Sequence, residues 1–353
     1  MSSQNASLKT TVAWMVGAAC VVLLIRVETR PAGNSDATSA GQAQQKAARP
    51  LPVRNDIPRP RDEILVLRNH QLTPGGHEPF YQFSRDRAWP FGMRIGTRVV
   101  GQWKVIDPEG RATAKYDDVY RLTRYASFEH WQTTRESTST ALGGNGPASE
   151  ARIEGFTDRG ALETGSKGAY FVQGRMAPGG PYYMPGLQEQ YELLPSQRPT
   201  ATDEVIAVRH DVAQPGQEIV EFRYQRIRKG SFERFVQETR EEIWPWEEKL
   251  GARPIGQWKV IHPAAPSRTS ESPDFDEVIT LTRYASYPHW KAMRPDPAVL
   301  IGGNGPDWRA WRAALDTQGG LTTQTTTEFM EGFMFYSPPV YLPPLPERYR
   351  MIK

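Results

Sequence analysis

The sequence predicts an α+β protein in which two tandem βαββαβ units close their sheets on each other within one chain, behind an N-terminal hydrophobic anchor. Three observations carry this reading. Four sequence blocks recur in the same order in the two halves of the 353-residue chain. Each half reads as strand, helix, two strands, helix, strand. A sheet with helices on one face leaves its other face to be covered by something else.

The duplication governs how everything else is read. Gly101–Ile106 (GQWKVI) recurs as Gly256–Ile261 at an offset of 155. Leu122–Ser127 (LTRYAS) recurs as Leu281–Ser286, His130-Trp131 as His289-Trp290, and Gly143–Pro147 (GGNGP) as Gly302–Pro306, all at an offset of 159. The change of offset falls in the polar stretches after Pro108 and Pro263, which places a loop there. Residues 63–193 and 218–353 are the two units, the second ending in a Pro-rich tail, and residues 194–217 join them.

The first strand is clearest in Ile219–Ile227, where Val220, Phe222 and Tyr224 alternate with Glu221, Arg223 and Gln225, the period of two that a pleat imposes. Gly230-Ser231 breaks it, and Ser231 is positioned to cap a helix. Phe232, Phe235, Val236, Ile243, Trp246 and Leu250 then form one helical face. Trp244-Pro245 and its equivalent Trp89-Pro90 fall inside that helix and predict a kink. Gly251 and Gly96 are natural terminators.

GQWKVI forms the second strand, and Val119–Tyr125 and Val278–Tyr284 the third. Ser127 and Ser286 are read as caps of a helical region containing His130 and His289. The Gly-Gly-Asn-Gly-Pro blocks are turns that need positive φ, not phosphate loops, because they lack the Gly-Lys-Ser/Thr ending. Trp308, Trp311 and Leu315 make a helical face after the second of them. A last strand near Gly168–Arg175 and Phe329–Tyr336 closes each unit. This order is the ferredoxin-like arrangement, and two such sheets facing each other predict a barrel with a cavity between them.

Residues 1–10 flank Thr11–Ile25, a run of 15 residues without charge. A spanning helix usually needs about 17–25. No small-residue cleavage site follows closely, so an uncleaved membrane anchor is favoured over a cleaved signal. Flanking basic residues nearly cancel, and the expected placement of the barrel is outside the cytoplasm. Residues 26–62 read as a flexible tether. The only cysteine, Cys20, lies in the hydrophobic run, which excludes an intramolecular disulfide and a cysteine-based metal site. A net charge of +3 on 43 basic and 40 acidic residues argues against nucleic acid as a partner.

In order, these motifs resemble the NIPSNAP family of the dimeric α/β-barrel superfamily, and the resemblance covers both units. It rests on Glu221-Phe222-Arg223 leading to Gly230, the proline-containing first helix, Gly256-Gln257-Trp258, and Leu281–Ser286 running into a helix. The first unit keeps the arginine (Arg68) and the glycine (Gly75). Both units have tryptophan, Trp131 or Trp290, where the family more often has a basic residue. The resemblance implies the barrel fold and little chemistry. The family has no agreed catalytic residues, and roles in trafficking or protein interaction are proposed for some members. Other barrels of the superfamily oxidise small aromatic molecules without a cofactor, or bind haem.

Candidate site residues follow from the repeats. His130 and His289 are the histidines at matching positions, suited to act as base or ligand near neutral pH, against the plain reading of solvent-facing residues in a first helical turn. Arg68 and Arg223 in the barrel interior would hold an anion by paired hydrogen bonds, or pair with an acidic neighbour. Arg124 with Tyr125, and Arg283 with Tyr284, carry the same two readings. Trp103 and Trp258 are core before they are ligand contacts. No zinc set is visible, and no cofactor is called for. The favoured function is a non-catalytic, tethered module that binds a small hydrophobic or anionic molecule or a protein. The alternative is a cofactor-independent monooxygenase-like or haem-binding barrel using the cavity between the sheets.

Overall fold

The structure is a computed structural model that describes residues 62–110, 115–176, 217–263, 269–294, 298 and 303–334. The anchor at 11–25, the tether up to residue 61, the joint from 194 to 216 and the Pro-rich tail lie outside the described residues. Among the described residues no helix is long and apolar enough to cross a membrane.

In the first unit, β1 (Ile64–Leu72) is followed by α1 (His77–Phe83), a π-helical turn (Ser84–Ala88) and α2 (Trp89–Arg94). Next come β2 (Arg98–Ile106), β3 (Asp117–Tyr125), α3 (Phe128–Thr133), α4 (Glu136–Gly143), α5 (Pro147–Leu162), β4 (Glu163–Gly165) and β5 (Ala169–Met176). The second unit repeats the plan: β6 (Ile219–Arg228), α6 (Phe232–Glu238), a π turn (Thr239–Ile243), α7 (Trp244–Lys249), β7 (Arg253–Ile261), β8 (Phe275–Tyr284), α8 (Tyr287–Ala292), α9 (Pro306–Leu321) and β9 (Thr322–Met334).

All strand pairings are antiparallel. Within the units the orders are β5-β1-β3-β2 and β9-β6-β8-β7. Two further pairings, β2 with β9 and β5 with β7, join the units into a closed eight-stranded barrel. Short β4 adds to the end of β1. The predicted ferredoxin-like units and their closure into one α+β barrel are therefore present.

The two seams use the same device. Trp103 of β2 pairs with Gly332 of β9, and Trp258 of β7 pairs with Gly174 of β5. A Cβ on Gly332 would lie 2.4 Å from the Gln102 carbonyl oxygen, and one on Gly174 would lie 2.4 Å from that of Gln257. Each glycine thus lets one unit's backbone close on the other's tryptophan strand.

Alternation sorts the barrel wall. Leu65, Leu67, Val100, Trp103, Tyr120, Leu122 and their second-unit counterparts point inward and form one buried cluster. Tyr120 stacks on Phe222 across the units at 5.2 Å. The interior is thus occupied by apolar and aromatic side chains. This corrects the expectation of a ligand cavity between the sheets: eight strands enclose only enough space for side chains to fill, and two tryptophans are among those that fill it. Arg68 and Arg223, expected in the interior, sit on the outer face under the helices.

Ser127 and Ser286 cap α3 and α8, accepting from the backbone N–H of His130 at 3.0 Å and of His289 at 3.2 Å. Ser231 occupies the cap position of α6 but its side chain makes no capping bond. The first helix departs from a simple proline kink. A π turn precedes each Trp-Pro, and the proline then begins a new α-helical segment, where its missing N–H costs least. Gly96 and Gly251, both at φ 93°, end these helices as expected, and Gly144 (φ 76°) and Gly303 (φ 78°) make the predicted turns. The last strand of the second unit starts at Thr322, earlier than its hydrophobic part suggests, because threonine is as good a strand former as the apolar residues that follow.

Candidate functional site

The first unit holds a cavity of about 640 Å³ between the outer face of its sheet and the helices that cover it. β1 contributes Arg68 and His70; β3 contributes Arg121, Thr123 and Tyr125; α2 and its approach contribute Trp89 and Gly92; α5 contributes Arg152, Phe156 and Arg159; Glu163 opens β4. Arg135 lines it from the end of α3. Five arginines therefore surround the space, with one glutamate.

Strand register brings the positive charges together. Arg68 and Arg121 are directly paired across β1 and β3, an arrangement that costs stability because like charges face each other. Arg159 reaches the same place from α5. Its guanidinium lies 4.4 Å from the centre of the Phe80 ring and 5.2 Å from that of Phe156. Burial lowers the pKa of all three, and repulsion from neighbouring arginines adds to it, from Arg135 on Arg68, from Arg68 on Arg121 and from Arg121 on Arg159; Arg121 comes down to about 10. A guanidinium is effectively always protonated in proteins, so the three sites carry positive charge. Arg121 Nη1 and Arg159 Nε are buried with no hydrogen-bond partner among the described residues. A buried guanidinium without a partner is expensive.

Arg152 and the Nδ1 side of His70 are tied down, while His70 Nε2 is buried with no hydrogen-bond partner among the described residues. Arg152 donates to Ser139 Oγ at 2.7 Å and to the Thr134 carbonyl at 2.9 Å, and lies over Phe91 and Phe156. His70 Nδ1 is 2.9 Å from Glu163 Oε1. Burial pushes His70 down to about 3, against the Glu163 hydrogen bond and with Arg121 and Arg159 helping, so the ring is neutral. Chemically the site can hold a group of concentrated negative charge against guanidiniums while Trp89, Phe156, Ile95 and Val99 cover an apolar body.

In the second unit the corresponding space is divided: about 20 Å³ is left around Glu221, Trp244 and Glu247, and a more open pocket of about 370 Å³ lies beside Arg223, Gln225, Gln318 and Thr322, with Arg223 as its one arginine. Applying the sequence offsets, Gly92 becomes Glu247, Val66 becomes Glu221, Arg121 becomes Thr280, Arg152 becomes Trp311 and Arg159 becomes Gln318. Arg223, the counterpart of Arg68, is ion-paired to Glu221 at 2.7 Å. Glu247 shares the same small space. Burial pushes it up to about 7, with Arg223 opposing. Gln318 donates to the Phe235 carbonyl at 2.8 Å and to Thr239 Oγ1 at 2.6 Å. Trp311 is 1% exposed and packs near Trp246.

The residues singled out from the sequence are mostly placed elsewhere. His130 and His289 are fully buried, not solvent-facing. The Nδ1 of each accepts a backbone N–H, from Ala126 at 3.0 Å and Ala285 at 3.1 Å, and Nε2 meets the carbonyls of Ile95 at 2.7 Å and Leu250 at 2.9 Å. They pin the end of the first helix to the start of the second. Arg124 grips Glu63 through Nε at 3.1 Å and Nη2 at 2.5 Å, and Arg283 grips Glu218 through Nε at 3.0 Å and Nη2 at 2.5 Å. Trp103 and Trp258 are in the barrel core. Tyr284 is buried, with its hydroxyl 3.2 Å from Glu221 Oε2. Of the ten, only Arg68 and Tyr125 line the large cavity. Arg121, Arg135, Arg152, Arg159, His70 and Glu163 were missed. The available signal was the difference between the copies at matched positions. Among the described residues no three His, Cys, Asp or Glu side chains converge as a metal site.

No protein family and no curated protein sequence is matched by the chain. Solved structures with a related outline include a presumed monooxygenase from Lactobacillus acidophilus, at 8% identity and a TM-score of 0.42, covering 78% of this chain and 98% of that one. An anthrone oxidase-like protein overlaps at 10% identity and a TM-score of 0.35, covering 77% and 92%. A chlorite dismutase variant from Candidatus Nitrospira defluvii overlaps at 9% identity and a TM-score of 0.31, with the same coverage. At this distance the fold rests on the strand pairing of the chain itself, and no activity is drawn from these neighbours.

Proposed function

We propose that the first unit is a binding site for an anionic organic molecule and that the second unit is its scaffold. The reading keeps the NIPSNAP-like character of the sequence and its favoured role as a tethered binding module, held at a membrane by residues 11–25. One observation carries it. Arg68, Arg121 and Arg159 converge on a cavity of about 640 Å³ whose wall holds a single carboxylate, Glu163, already hydrogen-bonded to His70. A folded protein keeps such uncompensated charge where a ligand supplies the counter-charge.

Phenyl phosphate is a suitable probe, having a doubly charged head and an apolar ring. Calorimetric titration of the full chain is expected to show binding that weakens at least tenfold in an Arg121→Gln, Arg159→Gln double variant. Arg223→Gln, in the second unit, is expected to leave it unchanged. Equal loss in both variants, or loss in neither, would contradict the assignment. The tether is checked separately by fractionation with protease accessibility, where recovery of the intact full chain in the soluble fraction would remove it.

A catalytic reading has one observation in its favour. His70 is held by Glu163 in the cavity wall and is neutral. His70→Gln installs the residue found at the equivalent Gln225, and a reaction that depends on the imidazole would be lost while binding of the anion persists.

A further inference from the structure

The two units are copies of one site in two states, and the second shows what the first lacks. Building on the anion-site reading, we infer that the first unit takes an organic carboxylate whose carboxyl group sits over Gly92 against Arg68, in the space that the Glu247 side chain fills in the second unit.

The argument is one of matched positions. Arg68 and Arg223 occupy the same place on the outer face of the sheet. Arg223 meets two carboxylates of its own chain, Glu221 by a direct ion pair and Glu247 across the small cavity. In the first unit both are deleted, because Val66 stands for Glu221 and Gly92 for Glu247. Glycine at 92 is also defended sterically. A Cβ there would lie 2.6 Å from Thr97 Oγ1, closer than real contacts allow. The residue matching Thr97 is Ala252, which carries no such oxygen. The glutamate comes with alanine and the glycine with threonine.

Glycine lining a cavity beside an arginine that lacks both carboxylates of its counterpart leaves room for an atom group from outside, and the second unit shows which group satisfies that arginine. A carboxylate is planar and accepts two parallel N–H donors from a guanidinium. Arg121, paired across the strands with Arg68, and Arg159 line the same cavity, so a second acidic or oxygen-bearing group on the same ring body would meet them. The ligand class is therefore an aromatic carboxylate, whose binding a further polar substituent would strengthen but does not require.

The test transplants the second unit's carboxylate. Two double variants of the full chain are compared, Gly92→Glu with Thr97→Ala and Gly92→Gln with Thr97→Ala. Each is titrated with 2-naphthoate, with 2-naphthamide as the uncharged control and phenyl phosphate as a carboxylate-free anion. The unaltered chain is expected to bind naphthoate at least tenfold tighter than naphthamide. Both variants are expected to lose naphthoate binding, because the space is filled. Only the glutamate variant is expected to melt several degrees higher than the unaltered chain, because a tethered carboxylate supplies the missing counter-charge in every molecule. Equal binding of naphthoate and naphthamide, naphthoate binding retained in the glutamate variant, or equal melting of the two variants overturns the carboxylate subsite. If phenyl phosphate still binds the unaltered chain in that case, the cavity remains an anion site of another kind. If neither anion binds the unaltered chain, the anion-site reading falls with the inference.

Discussion

The two units share a scaffold and differ in what they do with the space beneath their helices. In the second, where Trp311, Gln318 and Glu247 stand, the part around Glu247 and Glu221 is filled to about 20 Å³, and what remains is an open pocket of about 370 Å³ with a single arginine, Arg223. In the first, Arg152, Arg159 and Gly92 stand at those positions, and about 640 Å³ is left, lined by five arginines. The difference teaches where a duplicated barrel can afford a site. Both units are needed to close the wall, since each seam pairs a tryptophan strand of one with a glycine of the other. One unit suffices to hold a ligand. The other is free to neutralise its arginine with its own carboxylates, fill the space around them and contribute stability.

The largest effect should come from emptying the apolar packing under the second unit's helices. Trp311→Ala removes a side chain that is 1% exposed, and truncation of such a tryptophan costs about 3–5 kcal/mol. Arg152→Ala, at the matched place, removes hydrogen bonds to Ser139 and to the Thr134 carbonyl. That loss is about 1–2 kcal/mol. Denaturant midpoints of the two variants decide it. Equal losses would mean that Arg152 is packed as tightly as Trp311, and the contrast drawn between the units would be wrong.

Much of the fold was legible because the chain states it twice. Alternation in Ile219–Ile227 marks the inner face of the wall, and the caps at Ser127 and Ser286 mark where the helical region begins. The site was less legible for the same reason. A reading built on repeats favours residues that both copies keep, such as His130 with His289 and Arg124 with Arg283. These prove to be the scaffold, their nitrogens bound to backbone carbonyls and to Glu63 and Glu218. Arg121 against Thr280 and Arg159 against Gln318 mark the place where function departs from folding. The side of the wall they face could not be read from one strand alone. It follows from which face the helices cover, and inward tryptophans on both sheets leave no other room.

The pH dependence of stability should have opposite signs in the two units. Glu247 is pushed up to about 7 by burial, against Arg223 and Arg294 and with Glu221 and Glu248 adding to it. Its unfolded value is near 4.5, so between those values the folded state holds the proton more tightly. Stability therefore falls as pH rises from about 4.5 to 7, by an amount on the order of 3 kcal/mol. His70 behaves in reverse. Burial pushes it down to about 3, from 6.5 in the unfolded chain, so the unfolded state takes the proton first and stability falls as pH drops through that window. Glu247→Gln should flatten the neutral side of the stability–pH curve, and His70→Gln the acidic side. Urea unfolding at pH 5 and pH 8 reads both. A Glu247→Gln variant that loses as much stability between pH 5 and 8 as the parent does would show that this carboxyl is not the group responsible.

The smallest effect bears most directly on function, because it trades one against the other. Arg159→Gln converts the first unit's helix to the residue of the second. The acceptors that Gln318 uses, the Phe235 carbonyl and Thr239 Oγ1, have counterparts in Phe80 and Ser84, and Ser84 Oγ already donates to the Phe80 carbonyl at 2.6 Å. The glutamine should find the same partners, while a buried guanidinium with an unbonded Nε is removed. Stability is expected to rise by about 1 kcal/mol, as affinity for phenyl phosphate falls about tenfold, roughly the loss of one charge-assisted hydrogen bond. A variant that is both less stable and unaltered in binding would mean that Arg159 is a packing residue, stacked between Phe80 and Phe156 for the sake of the fold. A gain in stability paired with a loss of affinity is the signature of a charge kept for its ligand.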